Sequence, residues 1–221
     1  SHCSFVRSGA TRPYKRTASL SHLLPSYLLT FLPSYALTMK QLTPDQLQRP
    51  ALADYTSAEK MPVCIVLDNV RSGLNVGAIF RTCDAFSVEA IYLCGITVTP
   101  PHAEIMKTAL GATESVAWKS FDNAQLALDD LVAKGYILLP VEQTDQSVYL
   151  DQINLAELFP LALIFGNEMR GVNADVLSRC EKSLEIPQAG IKHSLNVATS
   201  AGIVLWECFR QNLRRRLGSG L

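Results

Sequence analysis

From residue 61 onward, apolar and polar positions alternate between two periods. PVCIVLDNV, Pro62–Val70, is a short apolar run rich in branched side chains and reads as a buried strand. Asn75–Phe86 then carries Val76, Ile79, Phe80, Cys83 and Phe86 at helical spacing, with Asn75 as its cap. AIYLCGI, Ala90–Ile96, predicts a second strand, and Pro101 suits the first turn of a helix running to Leu110. SVAW, Ser115–Trp118, predicts a short strand. Asp122 caps a helix to Ala133 that Gly135 ends. YILLPVE, LALIFG and SLEIP predict three further strands, and Asn173 caps the segment ADVLSRC between the last two. Ser194 opens a long helix that buries Val197, Ala201, Val204, Leu205 and Cys208 and ends in Arg210, Arg214, Arg215 and Arg216. Short apolar strands alternating with amphipathic helices predict an α/β domain, a mostly parallel sheet with helices on both faces.

Composition changes this picture little. Of 221 residues, 48% are hydrophobic, enough for one full core. Lys plus Arg balance Asp plus Glu, so the chain as a whole has no pull toward nucleic acid, and any such binding must use a local patch. The six cysteines form no C-x-x-C pair and have no histidine at ligand spacing, which argues against zinc. They fit a reducing, cytoplasmic setting. Residues 1–38 place Arg7, Arg12, Lys15 and Arg16 before an apolar run that Pro25 and Pro33 interrupt, so no clean membrane helix is predicted. The segment reads as a non-native leader, with a targeting segment as the alternative. Residues 39–60 read as a helix and linker, and 61–217 as the main domain.

Ligands of open parallel sheets bind beyond the carboxyl ends of the strands. Three loops there are rich in glycine and polar residues. The first, NVRSGLNVGAIFR, holds Asn75, Gly77 and Arg81. The second, IFGNEMRGV, puts Glu168 directly after a buried strand, where a carboxylate must be paired or face a cleft. In the third, IPQAGIKHSLNVATSAG, Ser194 and Asn196 bracket a helix start. Ala198, Ser200, Ala201 and Gly202 then suggest close approach by another element. Each string also has a plainer reading, as a capped helix or a turn with solvated charges. There is no G-x-G-x-x-G after a strand and no P-loop, which argues against an ordinary dinucleotide enzyme or P-loop NTPase.

Together the strings closely resemble the SpoU/TrmH branch of the SPOUT superfamily of RNA methyltransferases. The branch pattern N-x-G-A-x-x-R, G-x-E-x-x-G and I-P-x-x-G-x-x-x-S-L-N-V appears in order as NVGAIFR at Asn75–Arg81, GNEMRG at Gly166–Gly171 and IPQAGIKHSLNV at Ile186–Val197. KTALGA at Lys107–Ala112 resembles the branch's second helix and turn. Gln188 stands where the branch usually has Met, and Ala198 where it often has Ser.

The resemblance implies a C-terminal deep trefoil knot, a homodimer in which one subunit's arginine completes the other's site, and S-adenosylmethionine as cofactor. By the same carry-over, Val141, Gly166, Asn167, Ile186, Pro187 and Leu195 hold the cofactor, with Pro140, Ile186 and Pro187 suited to a narrow adenine slot. Arg81, Asn75, Glu168, Ser194 and Asn196 match the functional polar positions. No metal is implied. The implied reaction is methyl transfer to a ribose 2′-hydroxyl of tRNA or rRNA. The alternatives are methylation of a base, or a relative that binds RNA without catalysis. Glu168 then orients Arg81 or accepts a proton, and Asn75, Ser194 and Asn196 fix the loops and the ribose. The basic cluster Arg210–Arg216 either touches phosphates or is a solvated helix end.

Overall fold

The computed structural model describes residues 39–47 and 49–218; the leader expected at 1–38 lies outside them. The chain divides between Arg49 and Pro50. Before that point, the described residues hold one 3-10 turn, Pro44–Leu47. After it comes a short helix α1, Leu52–Ser57, and then the alternation that the hydrophobic pattern predicts.

Five parallel strands make the main sheet. They are β1 (Met61–Asp68), β2 (Val88–Cys94), β3 (Ala117–Phe121), β4 (Ile137–Pro140) and β6 (Leu161–Phe165), in spatial order β3-β2-β1-β6-β4. A second, two-stranded parallel sheet pairs β5 (Ser147–Tyr149) with β7 (Ser183–Glu185). Val141, just past β4, bridges to Leu184, so the two sheets run into each other there. The helices are α2 (Gly73–Ala85), α3 (Ala103–Ala109), α4 (Ala112–Ser115), α5 (Ala124–Ala133), α6 (Ala174–Leu177) and α7 (Val197–Gly218).

Alternate residues of each central strand serve opposite faces, because successive side chains of a strand point to opposite sides. Val63, Ile65, Leu67, Leu163 and Phe165 pack under α2 and α7, against Val76, Ile79, Phe80, Val204 and Leu205. Cys64, Val66, Ala162 and Ile164 face the other way, onto Ala127, Leu128 and Leu131 of α5 and Val176 of α6. This two-sided burial is why β1 and β6 read as unbroken apolar runs. The described cysteines are all free and four of the five are buried. Burial pushes the Cys94 and Cys208 thiols up to about 12, so they are packing groups and not nucleophiles at neutral pH. Among the described residues no cluster of side chains suits a metal, and no helix is long and apolar enough to cross a membrane.

The structure corrects several boundaries. Helix α2 starts at Gly73, and its cap is Ser72, whose hydroxyl accepts from the Asn75 amide N–H at 3.3 Å; Asn75 is inside the helix. Helix α3 starts at Ala103 behind a His102 cap, leaving Pro101 outside. Asn123, and not Asp122, caps α5, its carboxamide oxygen lying 3.0 Å from Leu126 N. The strand expected at SVAW begins at Ala117, because Ala112–Ser115 forms a helical turn. Strand β5 carries no alternation that the sequence pattern detects. Asn173 caps α6 as expected, by accepting from Asp175 N at 3.1 Å. The long helix begins at Val197, not at Ser194. Asn196 is its cap, its side-chain oxygen accepting from Ala198 N at 2.9 Å and Thr199 N at 3.2 Å. Within that helix Ala201 is fully packed, but a Cβ on Gly202 would meet nothing within 4 Å, so the small-residue stretch is not approached closely along its whole length.

Candidate active site

The sheet order reverses direction at β1, with β2 and β3 on one side and β6 and β4 on the other. The loops leaving the carboxyl ends of β1, β4 and β6 therefore face a common crevice. They are stitched together by polar side chains. Asn69, held at φ 58°, lies just past β1, and its carbonyl accepts from Asn167 Nδ2 at 2.8 Å in the β6 loop. Thr97, from the loop after β2, donates to the Leu67 carbonyl and accepts from Val70 N, both at 3.0 Å. The β6 loop closes on itself through paired backbone hydrogen bonds between Asn167 and Gly171 at 3.0 and 2.8 Å.

The three sequence motifs meet at one side chain, Asn75. Its Nδ2 donates to Glu168 Oε1 at 3.1 Å, and its Oδ1 accepts from Asn196 Nδ2, also at 3.1 Å. The directions form one consistent series. A carboxylate can only accept, so the Asn75 amide must donate to it; its oxygen is then left for Asn196, whose own oxygen caps α7. Glu168 also accepts from the backbone N–H groups of Arg71 and Ser72, each at 3.1 Å. Burial by itself would raise the Glu168 carboxyl, but these backbone donors, its own N–H and the Asn75 amide together hold it below its ordinary value of 4.5. Such a group is a fixed anion at neutral pH and a weak base. It ties the β6 loop to the β1 loop through Arg71, Ser72 and Asn75.

The sign of that shift sets its pH window. A depressed folded pKa means that the bond network is complete above about pH 4.5 and is lost as pH falls through the lower folded value. Between pH 5 and 8 this link should therefore be insensitive to pH. As for the cap, Asn196→Ala should lower the unfolding free energy by about 1–2 kcal/mol, and Asn196→Asp should recover most of it, because both side chains accept from the helix N–H groups. A denaturant titration in which Asp is as damaging as Ala would assign the loss to the bridge with Asn75 instead.

Beside this network lies a cavity of about 640 Å³, within the range of small-molecule sites. Of the residues expected to hold a cofactor, Val141, Gly166, Asn167, Ile186 and Leu195 line it, and Pro187 and Pro140 do not. Glu168, Ser194 and Asn196 also line it, while Asn75 stands behind Glu168. Gln188, at the position where the resemblance usually has Met, is on its wall. The motifs did not point to Glu142 and Gln143. Glu142 accepts from Gln143 N and Val172 N at 3.0 Å each, and Gln143 Nε2 donates to the His193 carbonyl at 3.2 Å, tying the β4 loop to the loop before α7. Their only signal in the sequence is position, at the carboxyl end of an apolar run.

Arg81 is elsewhere. It lines a second cavity, about 550 Å³, with Phe86, Lys107 and Leu110, and makes no ion pair among the described residues. The C-terminal arginines are mostly engaged locally. Arg210 pairs with Glu207, Arg215 lies 5.6 Å over the Phe159 ring, and Arg216 pairs with Glu59 at 2.9 Å. That favours the solvated helix end over a phosphate-binding cluster.

A family model described as the SpoU rRNA Methylase family matches residues 62–206. The chain belongs to this family. The matched span contains Asn75, Glu168, Asn196 and the whole wall of the larger cavity. Among SpoU relatives, the chain is 35% identical over 157 residues to a 23S rRNA (guanosine-2′-O-)-methyltransferase of Nitrosomonas europaea, covering 71% of this chain and 59% of the relative. The match thus spans about three-fifths of that enzyme's length. The fold matches the TrmH/SpoU tRNA modifying enzyme of Aquifex aeolicus with a TM-score of 0.66 at 27% identity, covering 76% of this chain and 82% of the other. It also matches an AdoMet-bound rRNA methyltransferase of Sinorhizobium meliloti with a TM-score of 0.62 at 28% identity, covering 72% and 61%.

Proposed function

We propose that residues 61–217 of this SpoU-family chain transfer a methyl group from S-adenosylmethionine to a ribose 2′-hydroxyl of tRNA or rRNA. The observation that carries this reading is the joining of three separate motifs through Asn75 at the rim of a ligand-sized cavity. The residues present fit the cofactor. Val141, Ile186 and Leu195 offer apolar walls for a purine, and Glu142, Glu168 and Glu185 put carboxylates around a ligand that carries a sulfonium and an ammonium. When bound, S-adenosylmethionine supplies a methyl group already activated by the positive sulfur. What remains for the chain is alignment and exclusion of water. The loops at 141–146, 166–173 and 186–196 are, in this reading, the knotted segment that shapes the cavity.

A guanidinium is a forked hydrogen-bond donor and a poor free base, so Arg81 serves by binding the phosphate beside the target ribose or by orienting the hydroxyl. Its separation from the larger cavity fits a homodimer in which it meets the partner's cofactor. The adjoining face supports such a dimer: Leu110 is 66% exposed, and Trp206, 52% exposed, lies 6.0 Å from the Phe86 ring at the edge of the Arg81 cavity. Trp206→Glu should give monomers by light scattering and lose transfer while each subunit stays folded; a fully active monomer would rule out the shared site. The free cysteines fit work in the cytoplasm.

The test of the reaction is to map 2′-O-methyl groups in total RNA with and without the gene, and to repeat transfer with purified chain. A methylated ribose blocks alkaline cleavage at its own position, so one band should vanish from the hydrolysis ladder. An intact ladder with label on a base would establish the rival chemistry. DNA, lacking the hydroxyl, should accept no methyl.

A further inference from the structure

The overall charge of zero requires any RNA contact to be local, and the arginines at the end of α7 are mostly occupied. The second cavity meets that requirement. Its lining includes two cations, Arg81 and Lys107, and no carboxylate. Neither cation has an ion pair among the described residues. The cavity's two threonines are committed to backbone: Thr82 donates to the Ala78 carbonyl and Thr108 to the Leu74 carbonyl, both at 3.0 Å. An uncompensated pair of cations in one concave site is built for an anion.

The pairing is a product of helix packing. A Cβ on Gly77 would lie 2.4 Å from the Ile105 carbonyl oxygen and 2.2 Å from Thr108 Oγ1, so only glycine lets α3 sit this close to α2. Arg81 follows Gly77 by one helical turn on the same side, and Lys107 is on α3, next in sequence to the Thr108 that Gly77 meets. The two cations thus line one groove from two different helices, Arg81 from α2 and Lys107 from α3.

We propose that Arg81 and Lys107 together clamp a backbone phosphodiester of the RNA substrate, Lys107 being a positioning residue that fixes the strand for transfer. This rests on the ribose-methylation reading. A guanidinium offers directed, forked donors and an ammonium a compact point charge, so the two can share one phosphate from different sides.

The test uses the full chain with unmodified transcripts of a tRNA and of a 23S rRNA fragment, titrated across a salt series, for wild type, Lys107→Ala and Lys107→Arg. In Lys107→Ala, RNA affinity should fall about five- to tenfold near 0.1 M salt, and the slope of log affinity against log salt should flatten by about 0.7–0.9, the value of one lost phosphate contact. KM for RNA should rise more than kcat falls, cofactor affinity and melting temperature should stay at wild-type values, and Lys107→Arg should restore the slope. An unchanged slope overturns the clamp, as does a loss of RNA affinity that tracks a loss of thermal stability. If wild type binds RNA with the Lys107-dependent slope but methylates no ribose, the clamp stands and the ribose reading falls. If ribose is methylated and the slope ignores Lys107, only the clamp falls.

Discussion

Arg81→Ala should reduce methyl transfer about a thousandfold while leaving the affinity for S-adenosylmethionine unchanged. The magnitude is the upper end of what removing one preorganised donor from a reaction site costs. The split between catalysis and binding follows from position: Arg81 lines the smaller cavity, whereas Val141, Gly166, Ile186 and Leu195 line the larger one, which is proposed above to take the cofactor. Arg81→Lys keeps the charge but loses the fork, and should recover only part of the rate. Calorimetry on the purified variants checks the binding arm. A variant that lost cofactor affinity in step with its rate would sink the assignment of Arg81 to the RNA side of the reaction.

Gly166→Ala should be as damaging, for the opposite reason. A Cβ there would sit 2.1 Å from the Gly171 carbonyl carbon and 2.2 Å from both the Gly171 oxygen and Val172 N. These are backbone atoms, and the Asn167–Gly171 hydrogen-bond pair holds them in place, so no flexible side chain can yield. Relief must come from opening the loop that carries Asn167 and Glu168, and with it one wall of the cavity. A loss of about 3 kcal/mol or more is expected, in the range of overpacked sites. Thermal unfolding and cofactor titration should both register it. A variant with wild-type stability and affinity would mean that the loop relaxes freely, against the close packing described.

The motifs were legible because each is a local string, but what they do was not. Asn75 sits at the start of a helix, where asparagine usually caps, and a single-helix reading assigns it that task. Ser72 takes the cap instead, and the Asn75 side chain is released to join Glu168 to Asn196 across 93 and 121 residues of sequence. No local rule distinguishes the two candidates, since both have the right chemistry within one turn. The same limit explains Glu168. Next to a strand it reads as a carboxylate awaiting Arg81 or a proton, yet its oxygens are taken by Arg71, Ser72 and Asn75. Glu142 carries no distinguishing signal in the sequence, because a lone acid after a strand is common, and only the fold brings Val172 N to it.

Apolar periodicity by itself determined the alternating α/β order, the two-sided burial of β1 and β6, and the three loops that hold the candidate site. Those are properties of nearest neighbours and of helix and strand periods, which the chain carries in every short window. The tertiary structure alone decided that Arg81 stands apart from the larger cavity and beside Lys107, and that Asn75 links the three loops. Both depend on distances between segments far apart in sequence, which are set by how closely Gly77 lets two helices cross and by where the sheet order reverses at β1.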